Sequence, residues 1–177
     1  METSDAAATQ PLESYLAPIE LLLKQVIEQG GFELRFAIRK NQPAGEELEA
    51  PDYVVEFFGR DSDLLLEKHA ALLNALEYVV LKAVRLEEDL FGRITFDYED
   101  FRRLRAEELR LMAQVAADRV IETGDPFALN PMCPRERRIV HLALKDQQQV
   151  RTVSEGVGPE RKVVILPTSP RVRSTRR

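Results

Sequence analysis

The sequence predicts an α+β fold in which helices lie on one side of short antiparallel or mixed sheets. Three observations predict it. An apolar pattern of helical period gives way to strict alternation near Phe32. Two alternating stretches are then joined by a short polar link, which suggests an antiparallel pair. A long amphipathic stretch over residues 99–123 is followed by a shorter helix and two closing strands.

The elements follow in order. Residues 1–11 are acidic and rich in Ala and Thr, and read as a disordered lead. From Leu12, apolar residues recur every three or four positions (Leu12, Leu16, Ile19, Leu22, Leu23, Val26, Ile27) until Gly30-Gly31 ends the helix. Phe32, Leu34, Phe36 and Ile38 alternate with Glu33, Arg35 and Arg39 as a half-buried strand. Residues 40–51 contain Pro43, Gly45 and Pro51 and read as a loop, and Tyr53 to Phe58 forms the second strand. After a turn at Gly59–Asp63, residues 64–88 are helical with a break near His69, and Leu76, Val79 and Val80 are expected in the core. A third strand covers Arg93 to Tyr98. The helix over 99–123 carries Phe101, Leu104, Leu109, Met112, Val115, Ala116 and Val120 on its apolar side and stops at Gly124-Asp125-Pro126. Phe127 to Asn130 is short and extended. Pro134 suits the first position of another helix, running to about Asp146 with Ile139, Leu142 and Ala143 as its core face. Val150–Val153 and Lys162–Leu166 close the chain as a strand pair. Residues 168–177, with Arg171, Arg173, Arg176 and Arg177, form a basic disordered tail.

Composition bounds the function. Apolar residues at 44% against 31% charged allow most of the 177 residues to fold. No apolar run approaches the ~18 residues of a membrane span. The N-terminus lacks the basic start and apolar stretch of a signal peptide. A single cysteine, Cys133, excludes an intrachain disulfide and a multi-cysteine zinc site, so cytoplasmic residence is the default expectation. The net charge of -5 conceals a split. Residues 1–100 hold 9 Lys+Arg and 21 Asp+Glu, a balance of -12; residues 101–177 hold 16 and 9, a balance of +7. A basic half of this kind points to a polyanionic ligand. Enzyme signatures such as Gly-x-Ser-x-Gly, a phosphate loop ending in Lys-Ser/Thr, or His-Glu-x-x-His do not occur. No catalytic residue, metal site or cofactor is expected.

The residues that carry chemistry lie between Cys133 and Leu144. Arg137 and His141 are four apart and share one helix face. A guanidinium offers a planar fork to phosphate oxygens, and an imidazole stacks on a base or donates to a phosphate. Both lie near a helix N-terminus, where backbone N–H groups favour an anion. Glu136 falls in the first turn, where the helix dipole favours it.

Arg-x-x-x-His is the signature of a small nucleic-acid-binding domain, here called the Arg-xxx-His domain. Its surroundings resemble that domain in the Jag family of bacterial RNA-binding proteins. The resemblance rests on Glu122-Thr123-Gly124, Pro131-Met132-Cys133-Pro134, Glu136-Arg137-Arg138-Ile139-Val140-His141, Ser154-Glu155-Gly156 and Arg161-Lys162-Val163-Val164-Ile165. It implies single-stranded nucleic-acid binding, of RNA before DNA, with Arg137 and His141 as the signature pair. Arg135, Arg138, Arg161 and Lys162 are electrostatic helpers. The family tends to carry Asn or Ser where Cys133 stands and Tyr where Arg135 stands. The first departure removes a good helix cap, and the second adds charge.

In Jag proteins a KH domain precedes this one, and residues 12–98 resemble such a domain, in the order helix-strand-strand-helix-helix-strand. The Gly-x-x-Gly loop that lets a nucleic-acid backbone approach falls on Glu67-Lys68-His69-Ala70, without either glycine, or, on a shifted alignment, on Gly59-Arg60-Asp61-Ser62, which lacks the second. The loop is therefore degenerate, leaving Lys68 and His69 as weak contacts at most. The implied organisation is a KH-like domain over 12–98 and a small α/β Arg-xxx-His domain over 99–167. The resemblance further suggests post-transcriptional regulation and a partner that is itself a KH-domain protein. The competing expectation is a protein-interaction adaptor, in which the acidic KH-like domain has lost RNA binding.

Overall fold

The computed structural model describes residues 11–41 and 50–168. The expected disorder of residues 1–10, most of the 40–51 loop and the basic tail from residue 169 lie outside the described residues. The described chain forms two compact units that divide between Phe101 and Arg102. Each is α+β.

The N-terminal unit opens with a 3-10 turn at Leu12–Tyr15 that leads into α1 (Leu16–Gly30). Gly31 ends α1 in the left-handed region, at φ 67°, where a side chain would be strained. The N–H of Phe32 donates to the Ile27 carbonyl at 3.1 Å. That bond to the helix end delays the first strand, which begins at Leu34 rather than Phe32.

Strands β1 (Leu34–Lys40) and β2 (Tyr53–Gly59) pair antiparallel, with Phe36 opposite Phe57 and Ile38 opposite Val55. The helix α2 (Glu67–Ala83) then carries the chain to β3 (Ile94–Asp97), which pairs parallel to β2. The sheet is therefore mixed, in the order β1-β2-β3. Its core joins Ile19 and Leu23 of α1, Leu73, Val80 and Leu81 of α2, and Val55, Phe57, Ile94 and Phe96 of the strands. Burying one such side chain is worth roughly 1.5–3 kcal/mol. Glu77 fastens α2 to β3, its carboxylate accepting from the Thr95 hydroxyl at 3.0 Å and the Phe96 N–H at 2.8 Å.

Two expectations for this unit need correction. The first of the two central helices is only a 3-10 turn, Ser62–Leu65. Val79 is 58% exposed, because the inward ridge of α2 runs through Leu73 and Val80. The break expected near His69 is present: Lys68, His69 and Ala70 all have positive φ, at 49°, 61° and 57°.

The C-terminal unit is built on α3 (Phe101–Thr123), β4 (Phe127–Ala128), α4 (Pro134–Ala143), β5 (Val150–Glu155) and β6 (Lys162–Pro167). Its antiparallel sheet has the order β4-β6-β5. Gly156 turns the chain after β5 with φ 92°, and a Cβ there would stand 2.8 Å from the Glu160 carbonyl oxygen. Leu109, Ala113, Ala117 and Val120 of α3 pack with Val140 of α4 and with Val150, Val163 and Ile165 of the sheet.

The apolar residues of α3 do not form one face. Leu104 and Val115, expected in the core, are 52% and 70% exposed, and Leu111 is 64% exposed. At 100° per residue these three lie opposite the Leu109–Val120 stripe. On α4 the buried ridge is Glu136, Val140 and Leu144, four apart, rather than the expected face with Leu142, which is half exposed.

Candidate nucleic-acid interface

Helix α4 is held at its start by charge. The Glu136 carboxylate, itself buried, accepts from the Arg105 Nε–H of α3 at 2.7 Å and from the Cys133 backbone N–H at 3.3 Å. Arg105 also pairs with Glu108 at 2.7 Å. The Cys133 N–H is thus capped from within the helix by the residue three positions on. Cys133 lacks the cap oxygen of Asn or Ser, and the Glu136 carboxylate supplies the reciprocal half of a capping box. This changes one expectation. The carboxylate at the N-terminus of α4 is the protein's own, so that end already holds an anion.

One ridge around from Glu136 and Val140 lie Arg137 and His141, both half-buried. Their environments differ sharply. His141 is fully engaged: Nδ1 stands 2.6 Å from the Thr152 hydroxyl and Nε2 2.9 Å from the Ser154 hydroxyl. Thr152 and Ser154 are two apart on β5 and therefore share one sheet face, the one that carries Val150 into the core. Burial lowers the pKa of His141 below its ordinary value, and the adjacent Arg137 charge lowers it further. The ring is neutral at pH 7. Arg137 has the opposite character. Its Nε is buried and has no hydrogen-bond partner among the described residues.

The other expected residues divide between the two units. Arg135 is half-buried and Arg138 exposed, both on α4 and both engaged in interactions within the protein. Arg161 is exposed just before β6. Lys162 stands opposite Glu155 in the register, while Ser154 stands opposite Val163. Side chains alternate along a strand, so Lys162 lies on the sheet face away from Thr152 and Ser154. Lys162 is therefore not brought to the Arg137/His141 face. Lys68 and His69 belong to the N-terminal unit, exposed on the left-handed turn after Glu67.

Sequence reasoning missed Arg105, Thr152 and the hydroxyl of Ser154 as a partner of His141. The alternation of Val150, Thr152 and Ser154 was available as a signal for a shared face. That His141 should meet that face depends on packing between elements far apart in sequence.

Residues 107–167 match the family of the Arg-xxx-His domain, named for an arginine and a histidine with three residues between them. The RNA-binding protein KhpB of Clostridium symbiosum is 36% identical over 111 residues, covering 63% of this chain and 50% of that protein. KhpB of Bacillus subtilis is 35% identical over 109 residues, covering 60% and 52%. The chain resembles these KhpB proteins over about three fifths of its length. KhpB of Lactiplantibacillus plantarum is also similar, 34% identical over 102 residues that make up 58% of this chain and 32% of that protein. The matches span about half the length of these relatives or less. Among the described residues, no helix is long and apolar enough to cross a membrane, and no group of three His, Cys, Asp or Glu is placed to hold a metal ion.

Proposed function

We propose that this chain binds single-stranded RNA through the Arg137/His141 face of its C-terminal unit. The observation that carries the reading is the orphaned Nε of Arg137. A buried donor without a partner costs about 1–3 kcal/mol, and such a group calls for an explanation. A phosphate drawn to the rest of this guanidinium would supply the missing counter-charge. The +7 balance of residues 101–177 adds long-range attraction, to which Arg135, Arg138, Arg161 and Lys162 contribute. The relatives named RNA-binding proteins point the same way.

On this reading residues 12–98 are a KH-like domain, 99–167 the Arg-xxx-His domain and 168–177 a basic tail. The chain acts without cofactor or catalysis as a post-transcriptional regulator, with another KH-domain protein as partner. The single cysteine suits a cytoplasmic setting. Glu67 favours a second reading for the N-terminal unit, as an adaptor that binds protein, since it places negative charge where phosphates would pass.

The test is the salt dependence of binding to a fluorescent single-stranded RNA, for the wild type and for Arg137→Ala/His141→Ala. For single strands log affinity falls with log salt by about 0.7 per phosphate neutralised. The expected result is a clear slope for the wild type and loss of most affinity in the folded double variant. Equal binding by both would move the site elsewhere, and no binding at low salt would leave the adaptor reading.

A further inference from the structure

The His141 contacts carry more than an anchoring role. A neutral imidazole has one N–H and one bare nitrogen. With a hydroxyl on each nitrogen, one hydroxyl must accept from the ring and the other must donate into it. The hydroxyl that accepts keeps its own hydrogen and faces outward as a donor. The hydroxyl that donates has spent its hydrogen and offers only lone pairs. Exchanging the tautomer exchanges the two roles but leaves one donor and one acceptor. Thr152 and Ser154 are each only half-buried, so each residue keeps some exposed surface. They stand about 7 Å apart along β5, on the face that meets α4 beside Arg137.

We infer that the Thr152 and Ser154 hydroxyls, polarised by His141, form a ribose-sensing pair that selects RNA over DNA. This rests on the reading of the Arg137/His141 face given above and names its substrate class. The donor hydroxyl bonds a phosphate oxygen, which every single strand carries. The acceptor hydroxyl takes the hydrogen of a ribose 2′-OH, which DNA lacks. Arg137 supplies charge for the phosphate. His141 is a positioning residue: both of its nitrogens are spent on fixing the two hydroxyls, and it acts through them.

The experiment measures affinity of the full chain for three oligonucleotides of one sequence: RNA, DNA, and RNA with 2′-fluoro sugars, which removes the donor. The wild type is expected to bind RNA about fivefold more tightly than 2′-fluoro RNA, the effect of one neutral hydrogen bond. Thr152→Val/Ser154→Ala should bring RNA and 2′-fluoro RNA to equal affinity, while Thr152→Ser/Ser154→Thr, which keeps both hydroxyls, should retain the preference. Equal affinity of the wild type for RNA and 2′-fluoro RNA overturns the ribose-sensing pair while leaving RNA binding intact, and it needs no variant to fold. A preference that survives in a folded Thr152→Val/Ser154→Ala variant also overturns it. If the wild type binds none of the three, the RNA reading itself falls, and this inference with it.

Discussion

Replacing Arg137 with methionine should stabilise the C-terminal unit and weaken RNA binding. The stabilisation comes from the buried Nε, a donor with no partner among the described residues. Such a group carries a penalty of about 1–3 kcal/mol that disappears when the donor itself is removed. Methionine keeps most of the apolar stem of arginine and has nearly the same helix propensity, so little packing or helix stability is lost. Because Arg137 is only half-buried, the gain belongs at the lower end, about 1 kcal/mol. Urea denaturation reads this as a higher midpoint with an unchanged slope. A second readout is independent of stability. Arg137 is a cause of the lowered pKa of His141, so the variant should raise that pKa toward its ordinary value. A midpoint that falls by the equivalent of about 1 kcal/mol or more would refute the reasoning. It would mean that Arg137 is satisfied within the fold and is not held in reserve for a ligand.

Three further outcomes are expected. Arg105→Met leaves the buried Glu136 carboxylate with only the Cys133 N–H, which should cost about 1–3 kcal/mol in the same denaturation assay; a change below a few tenths would show that the pair does not hold α4. His141 should lose its proton below pH 6.5, followed through its ring resonances by NMR. Between its folded pKa and the ordinary value the unfolded chain binds more protons, so stability should fall as pH is lowered through that window and be level above it; a titration at or above 6.5 would contradict the buried geometry. His69→Gly relieves an exposed residue held at φ 61° and should stabilise the N-terminal unit by about 1 kcal/mol; a loss of stability would show that the left-handed turn is not strained.

Much of the architecture was legible because it is written in local patterns. Pro134 at a helix start, Gly31 at a helix end and the alternation through Phe36 and Ile38 each depend on neighbours in sequence. The failures have one physical source. Leu104, Leu111 and Val115 have the composition of a core but sit opposite the Leu109–Val120 stripe. Apolarity alone does not say which side of a two-faced helix meets the sheet. Spacing singles out the Arg137/His141 pair but not its surroundings. Spacing puts two side chains on one face, whereas the hydroxyls facing His141 come from β5, eleven and thirteen residues further on. The orphaned Arg137 Nε and the Arg105–Glu136 pair are likewise products of tertiary packing.

On the proposed reading, the two units differ in what each offers to a strand of phosphates. In the N-terminal unit the turn at Lys68, His69 and Ala70 keeps a left-handed course that glycine would adopt freely, and it does so with side chains at a cost of roughly 1–2 kcal/mol per residue. The buried Ala70 side chain joins the core, which helps to hold the strained turn in place, but no glycine opens a path for a backbone and Glu67 repels one. In the C-terminal unit the cost is electrostatic. There α4 is fixed by Glu136, His141 is held by two hydroxyls, and the unmet demand falls on the Arg137 guanidinium. Strain in a turn is relieved by changing the sequence, whereas a cation with a buried, unmet donor is relieved by an anionic ligand. That difference is why we propose nucleic-acid binding for the C-terminal unit and read the N-terminal turn as a retained shape.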